Sequence, residues 1–188
     1  MNSFSLTFDG PGSTAAAFAP AGLTIGYGQY VPTLDGFGDP IPGSDHWELD
    51  STAGPVPVIN PSIVNWGTAP SPSKALDVRD GAVLAVFNTP FSLAYFSTAL
   101  DTSTFGNLGN SPIQFFDADN NLLSSINVDQ TVPGFVGSGT NLGLVKTILL
   151  PPTAFYDNLT AVPEPGTLFF GLVAMAAAGG RRIRSRRA

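Results

Sequence analysis

The chain has no cysteine, a single histidine (His46) and little charge, with Asp, Glu, Lys and Arg making up 12% of its 188 residues. The missing cysteines exclude disulfides, thiol catalysis and cysteine-ligated metals, and bear neither for nor against export. One histidine excludes histidine-cluster metal sites and leaves a Ser-His-Asp triad a single candidate base. No Gly-x-Ser-x-Gly motif accompanies it. Basic residues before Pro163 are scarcer than acidic ones: Lys74, Arg79 and Lys146 stand against 13 carboxylates, a net charge of −10 (3 − 13). Nucleic acid and anionic membrane surfaces both need a basic patch, so neither is expected as a partner of this region. A hard cation such as calcium is permitted.

Helical periodicity is also missing before residue 163. The composition is nonetheless not that of a disordered chain, because 43% of the residues are hydrophobic. Gly (21) and Pro (17) are abundant and break the sequence into short runs. Strand-like runs are predicted at 4–8, 23–31, 46–50, 56–59, 82–87, 92–99, 113–117, 122–128, 144–150 and 154–160. Leu23, Ile25 and Tyr27 alternate with polar or small residues, as on a half-buried strand. Ala82 to Phe87 is apolar throughout, as on a strand buried on both faces. Segments 32–45 and 60–73 are Gly/Pro/Ser-rich and read as long surface loops. Many short strands at this spacing predict an all-β fold, an antiparallel jelly-roll-like β-sandwich over residues 1–161.

Three polar constellations stand out. Asp117, Asp119 and Asn121 have the alternate spacing of a calcium loop. However, Leu122 occupies the glycine position and Val128 the bidentate glutamate position of an EF-hand, and a hairpin turn calls for the same Asp and Asn residues. Around Trp47 lie Asp35, Asp39, Asp45, His46, Glu48 and Asp50. An indole face stacks on sugar C–H groups while carboxylates accept from hydroxyls, so Trp47, with Trp66 in the next loop, is a candidate glycan platform. The competing reading is that Trp47 is core and the acids face water. A glycosidase needs two facing carboxylates, and thirteen acids give no basis for choosing a pair.

The end of the chain is different in kind. Val162-Pro163-Glu164-Pro165 should be extended, because proline cannot continue a helix and biases its neighbour away from one. An apolar run from Thr167 to Gly180 follows, and then Arg181, Arg182, Arg184, Arg186 and Arg187. The run spans only ~20 Å as a helix, short of a ~30 Å hydrocarbon core. It has no polar face, and the arginines can snorkel to accommodate the mismatch, so it reads as a transmembrane helix over 167–180. The alternative is a buried terminal helix. By the positive-inside rule, residues 181–188 stay cytoplasmic and the β domain lies outside the cytoplasm.

These three elements, in this order, resemble the PEP-CTERM sorting signal of Gram-negative bacteria. The resemblance covers residues 162–188, with Gly166 where the family often has serine. It implies recognition by exosortase, a membrane protease-transpeptidase, with processing within 162–166, and an association with exopolysaccharide and biofilm material. Residues 112–125 and 155–160 resemble the hairpin and closing strand of such ectodomains and of carbohydrate-binding jelly rolls. Modules of that kind hold a structural calcium near the paired terminal strands, which makes Asp9 and Asp157 candidate ligands. The alternative is two solvated or hydrogen-bonded carboxylates. An exported domain needs an export signal, and Met1 to Asp9 reads as a strand; the true start is therefore expected upstream. The expectation is a non-catalytic surface or matrix protein: an inner-membrane precursor, then a cell-surface or extracellular form. A calcium-assisted carbohydrate-binding module is the alternative, and a secreted hydrolase a distant third.

Overall fold

The computed structural model describes residues 3–8, 11–59, 74–78, 81–101, 112–127, 134–137, 142–152 and 154–163. Asp9, Trp66, Glu164, Pro165, the apolar segment 167–180 and Arg181, Arg182, Arg184, Arg186 and Arg187 lie outside the described residues. The described residues form eleven strands: β1 (Phe4–Leu6), β2 (Leu23–Val31), β3 (His46–Leu49), β4 (Val58–Ile59), β5 (Ala75–Val78), β6 (Val83–Asp101), β7 (Ile113–Phe116), β8 (Leu122–Ile126), β9 (Gly134–Gly137), β10 (Gly143–Leu150) and β11 (Ala154–Pro163). A short 3-10 turn at Ala15–Ala17 is the one helical element among the described residues. Every strand pairing is antiparallel. The all-β reading of the sequence is thus correct.

The sheet runs β4-β5-β11-β6-β10-β7-β8, and β6 is its trunk. The first half of β6 lies between β2 and β10; the second half lies between β11 and β9. The change of partners falls at a bulge that the sequence makes necessary. Val145 pairs with Phe91 and Thr147 with Val86, so Lys146 alone faces the four residues 87–90. Pro90 lies there and has no N–H to give to a ladder. The bulge is held from both sides: Lys146 Nζ donates to Asn88 O at 2.9 Å, and Asn88 N donates to Gly22 O at 2.8 Å. Phe87 and Phe91 bracket it and stack at 5.2 Å. The two strands expected at 82–87 and 92–99 are therefore one strand, kinked at its proline.

Both faces of β6 are buried, as the unbroken apolar run requires. Val83, Ala85, Phe87, Phe91, Leu93 and Phe96 join a main core with Ile25, Ile113, Phe115, Ile148, Tyr156 and Leu159. Leu84 faces the other way and forms a second cluster with Ala82 and Leu149, covered by Trp47, Leu49, Val86 and Phe116. That cover is possible because β2 leaves the sheet. Leu23–Tyr27 pair with β6, whereas Gly28–Val31 pair only with β3, so the β2–β3 hairpin is an arm. Gly26 and Gly28 sit at the departure point. A Cβ on Gly28 would stand 2.8 Å from Leu84 Cγ, and one on Gly26 would stand 3.1 Å from Leu49 Cδ2. Only glycine lets the arm lie this close over Leu84.

The first and last described strands are neighbours, with Phe4 opposite Ala161 and Leu6 opposite Leu159. β11 carries its own bulge, where Asn158 and Leu159 together face Thr98. Asn158 adopts φ +50°, a left-handed conformation that asparagine tolerates better than most side chains. The strand continues through Val162 and Pro163, two residues past the expected domain boundary at 161, with Val162 opposite Tyr95.

Candidate functional site

The free edge of the β3 arm faces the β7–β8 hairpin across a seam that contains two recesses. The first has a volume of about 200 Å³ and is lined by Trp47, Ala82, Pro112, Gln114, Leu149, Pro151 and Pro152. The second has a volume of about 350 Å³ and is lined by Thr33, Gly43, Ser44, Asp45, His46, Asp119, Asn120 and Asn121. Trp47 thus lies across from Pro112 and Gln114, while Asp45 and His46 lie across from the 119–121 turn. Trp47 and His46 are consecutive in β3 and leave it on opposite faces, Trp47 to the apolar recess and His46 to the polar one.

Trp47 is half-buried. One side packs on the Ala82–Leu84–Leu149 cluster. It also lines the apolar recess, and its ring lies 5.2 Å from that of Tyr30, its cross-strand partner. Tyr30 is itself 58% exposed.

The polar recess has fixed walls. Asp117 accepts from Asp119 N (2.9 Å), Asn121 N (2.9 Å) and Asn121 Nδ2 (3.0 Å), which closes the β7–β8 turn. Asn120 takes φ +62° within it. The hydrogen bond from the Asn121 side chain, then those from the backbone N–H groups, hold the Asp117 carboxyl below its ordinary value of 3.8. Both Asp117 oxygens are engaged in the turn, so Asp117-x-Asp119-x-Asn121 is a hairpin turn in form. Opposite, Asp35 is held low by hydrogen bonds from Asp39 N and then Phe37 N, and it orders the loop that leads to Asp45. Asp50 is held low by the Thr52 hydroxyl and N–H, closing the turn after β3.

His46 is fixed in one tautomer by its neighbours. Thr33 Oγ1 spends its one proton on Ser44 O at 2.9 Å. Its 3.3 Å contact with His46 Nδ1 then needs the proton on Nδ1. Neutral His46 therefore keeps Nε2 as an acceptor.

The remaining candidates fall elsewhere. Asp157 is fully buried in β11; its Oδ1 accepts from Asn158 N at 2.7 Å, and its carbonyl oxygen accepts from Thr98 Oγ1 at 3.0 Å. Its suggested partner, Asp9, and the second suggested platform, Trp66, lie outside the described residues. Among the described residues no three His, Asp or Glu side chains converge as a metal cluster would need. None of the helical structure among the described residues is long and apolar enough to cross a membrane. Pro112, Gln114, Pro151 and Pro152 were not foreseen as site residues, because only the folded arm brings them against Trp47.

Comparison with known proteins finds no matching family model, no matching curated protein and no matching solved structure.

Proposed function

We propose that this chain is an exported, non-catalytic surface or extracellular-matrix protein of a Gram-negative bacterium, sorted through its C-terminal tail by an exosortase-type membrane protease. The observation that carries the proposal is the order Val162-Pro163-Glu164-Pro165, apolar run, arginine cluster. Each part has a separate physical role. The prolines keep the chain extended, the apolar run holds the precursor in the membrane, and the arginines fix its orientation. β11 supports the reading from the domain side: it carries the chain extended through Val162 and Pro163, the first two residues of the motif, with Val162 37% exposed.

The domain itself is a jelly-roll-like sandwich in this proposal. Its support is the T-shaped contact of Phe96 with Phe115 at 5.3 Å, between the second half of β6 and β7, which share no ladder. Such a contact suits two sheet halves packed face to face. A structural or adhesive role is favoured over catalysis by His46, whose Nδ1 engages Thr33 and Ser44, not a carboxylate that would orient it as a base.

The test is fractionation of the native host, expressing the chain from its own locus. Glu164→Ala with Pro165→Ala should leave the protein in the inner-membrane fraction, while the unaltered chain reaches the surface or the medium. An identical distribution for both would refute the sorting role of the motif.

A further inference from the structure

We propose that the seam between β3 and the β7–β8 hairpin is a binding site for a neutral oligosaccharide. This deepens the adhesive reading above by naming what the domain adheres to, yet it rests on residues of the folded domain alone.

A sugar ring presents apolar C–H faces and a rim of hydroxyls that both donate and accept. The seam offers the complementary pair. Trp47, Pro112, Pro151 and Pro152 line an apolar recess that includes part of an indole. The neighbouring recess supplies carboxylate acceptors (Asp45, Asp119), amides that donate and accept (Asn120, Asn121) and the acceptor Nε2 of His46. His46 and Trp47 are consecutive in β3, so their side chains leave opposite faces of the strand, and a ligand that meets both recesses must wrap the strand's edge, which favours an oligosaccharide over a single sugar. The larger recess, at about 350 Å³, already falls within the ~300–1,000 Å³ range of small-ligand sites.

Charge selects within the glycans. Among the described residues, the linings of both recesses include Asp45 and Asp119 but no Lys or Arg. Uronates, sulfated sugars and phosphates would meet like charge there without a cation to pair with. The walls are also set before the ligand arrives. Asp117 fixes one through three hydrogen bonds, and Thr33, Asp35 and Ser44 fix the other, so little ordering entropy is lost on binding.

The test is a titration of the purified full chain in a polyoxyethylene detergent, which carries no sugar. The probes are cellotetraose, maltotetraose, chitotetraose and β-1,4-galactotetraose, with tetragalacturonate as the charged comparison. Calorimetry and Trp47 emission, in a Trp66→Phe background, report binding. At least one neutral probe should saturate below about 10 mM. Asp119→Ala and Asp45→Ala should each weaken it by about tenfold, since a hydrogen bond to a charged group is lost. Both variants are exposed, and the Asp119 N–H that serves Asp117 is kept. Trp47→Ala should abolish binding, and Trp47→Phe should retain part of it. The proposal is overturned if no neutral probe saturates, if binding survives both Asp119→Ala and Trp47→Ala unchanged, or if tetragalacturonate binds as tightly as the neutral probes. A null result here leaves the processing of the tail untouched, and an unprocessed tail in the host leaves this binding untouched.

Discussion

Gly28 lies flat against Leu84: a Cβ on the glycine would stand 2.8 Å from the leucine Cγ. Leu84 is fully buried on β6, and the glycine is where β2 departs to form the arm that carries Trp47. Gly28→Ala should therefore cost about 1–3 kcal/mol through overpacking. Urea denaturation should show a lower midpoint, and Trp47 emission should shift to the red as the arm lifts. A variant as stable as the parent would mean that the arm is not clamped on Leu84.

Acid should loosen the turns that wall the seam. Asp35, Asp50 and Asp117 are all held below their ordinary value of 3.8 by hydrogen bonds in the folded chain. A depressed folded value means that the stabilisation is present above about pH 4 and is lost as pH falls further, through the folded value. The thermal midpoint should therefore drop below pH 4, and Asp117→Asn, which keeps an acceptor but does not titrate, should show a shallower drop. Parallel curves for the two proteins would show that the Asp117 turn is not formed as described.

Alkali should act through Tyr156. Its ring is fully buried, its hydroxyl donates to Pro151 O at 3.0 Å, and burial pushes the phenol well above its ordinary value of 10.0. A raised folded value leaves stability intact below pH 10 and erodes it as pH rises beyond, because only the unfolded chain releases that proton. Ultraviolet titration should show one of the four tyrosines ionising only with unfolding. Tyr156→Phe should remove that late step and cost about 1 kcal/mol at neutral pH through the lost hydrogen bond.

The strands that the sequence made legible are those whose period was undisturbed. The range 23–31 matches β2, and 113–117, 122–128, 144–150 and 154–160 find β7, β8, β10 and β11 within a few residues. Two strands were missed for physical reasons. β5 is buried on both faces but carries Asp77, so a charge interrupts what would otherwise be a short apolar run. β9 begins and ends in glycine, which reads as a turn. Pro90 split one long strand into two in the reading, because a bulge held by Lys146 cannot be inferred from local pattern. The site was legible only by halves. Trp47 with its acids, and the Asp117–Asn121 turn, each stood out, but their meeting depends on an arm folded over Leu84, and nothing local encodes that.

The sorting role of the tail can be read from the mass of the protein. The protein should be recovered from its native host, expressed from its own locus, and its intact mass and C-terminal peptide determined. Processing predicts a chain that ends between Val162 and Gly166 and lacks all five terminal arginines. A full-length chain ending at Ala188, retained in the membrane fraction, would contradict it.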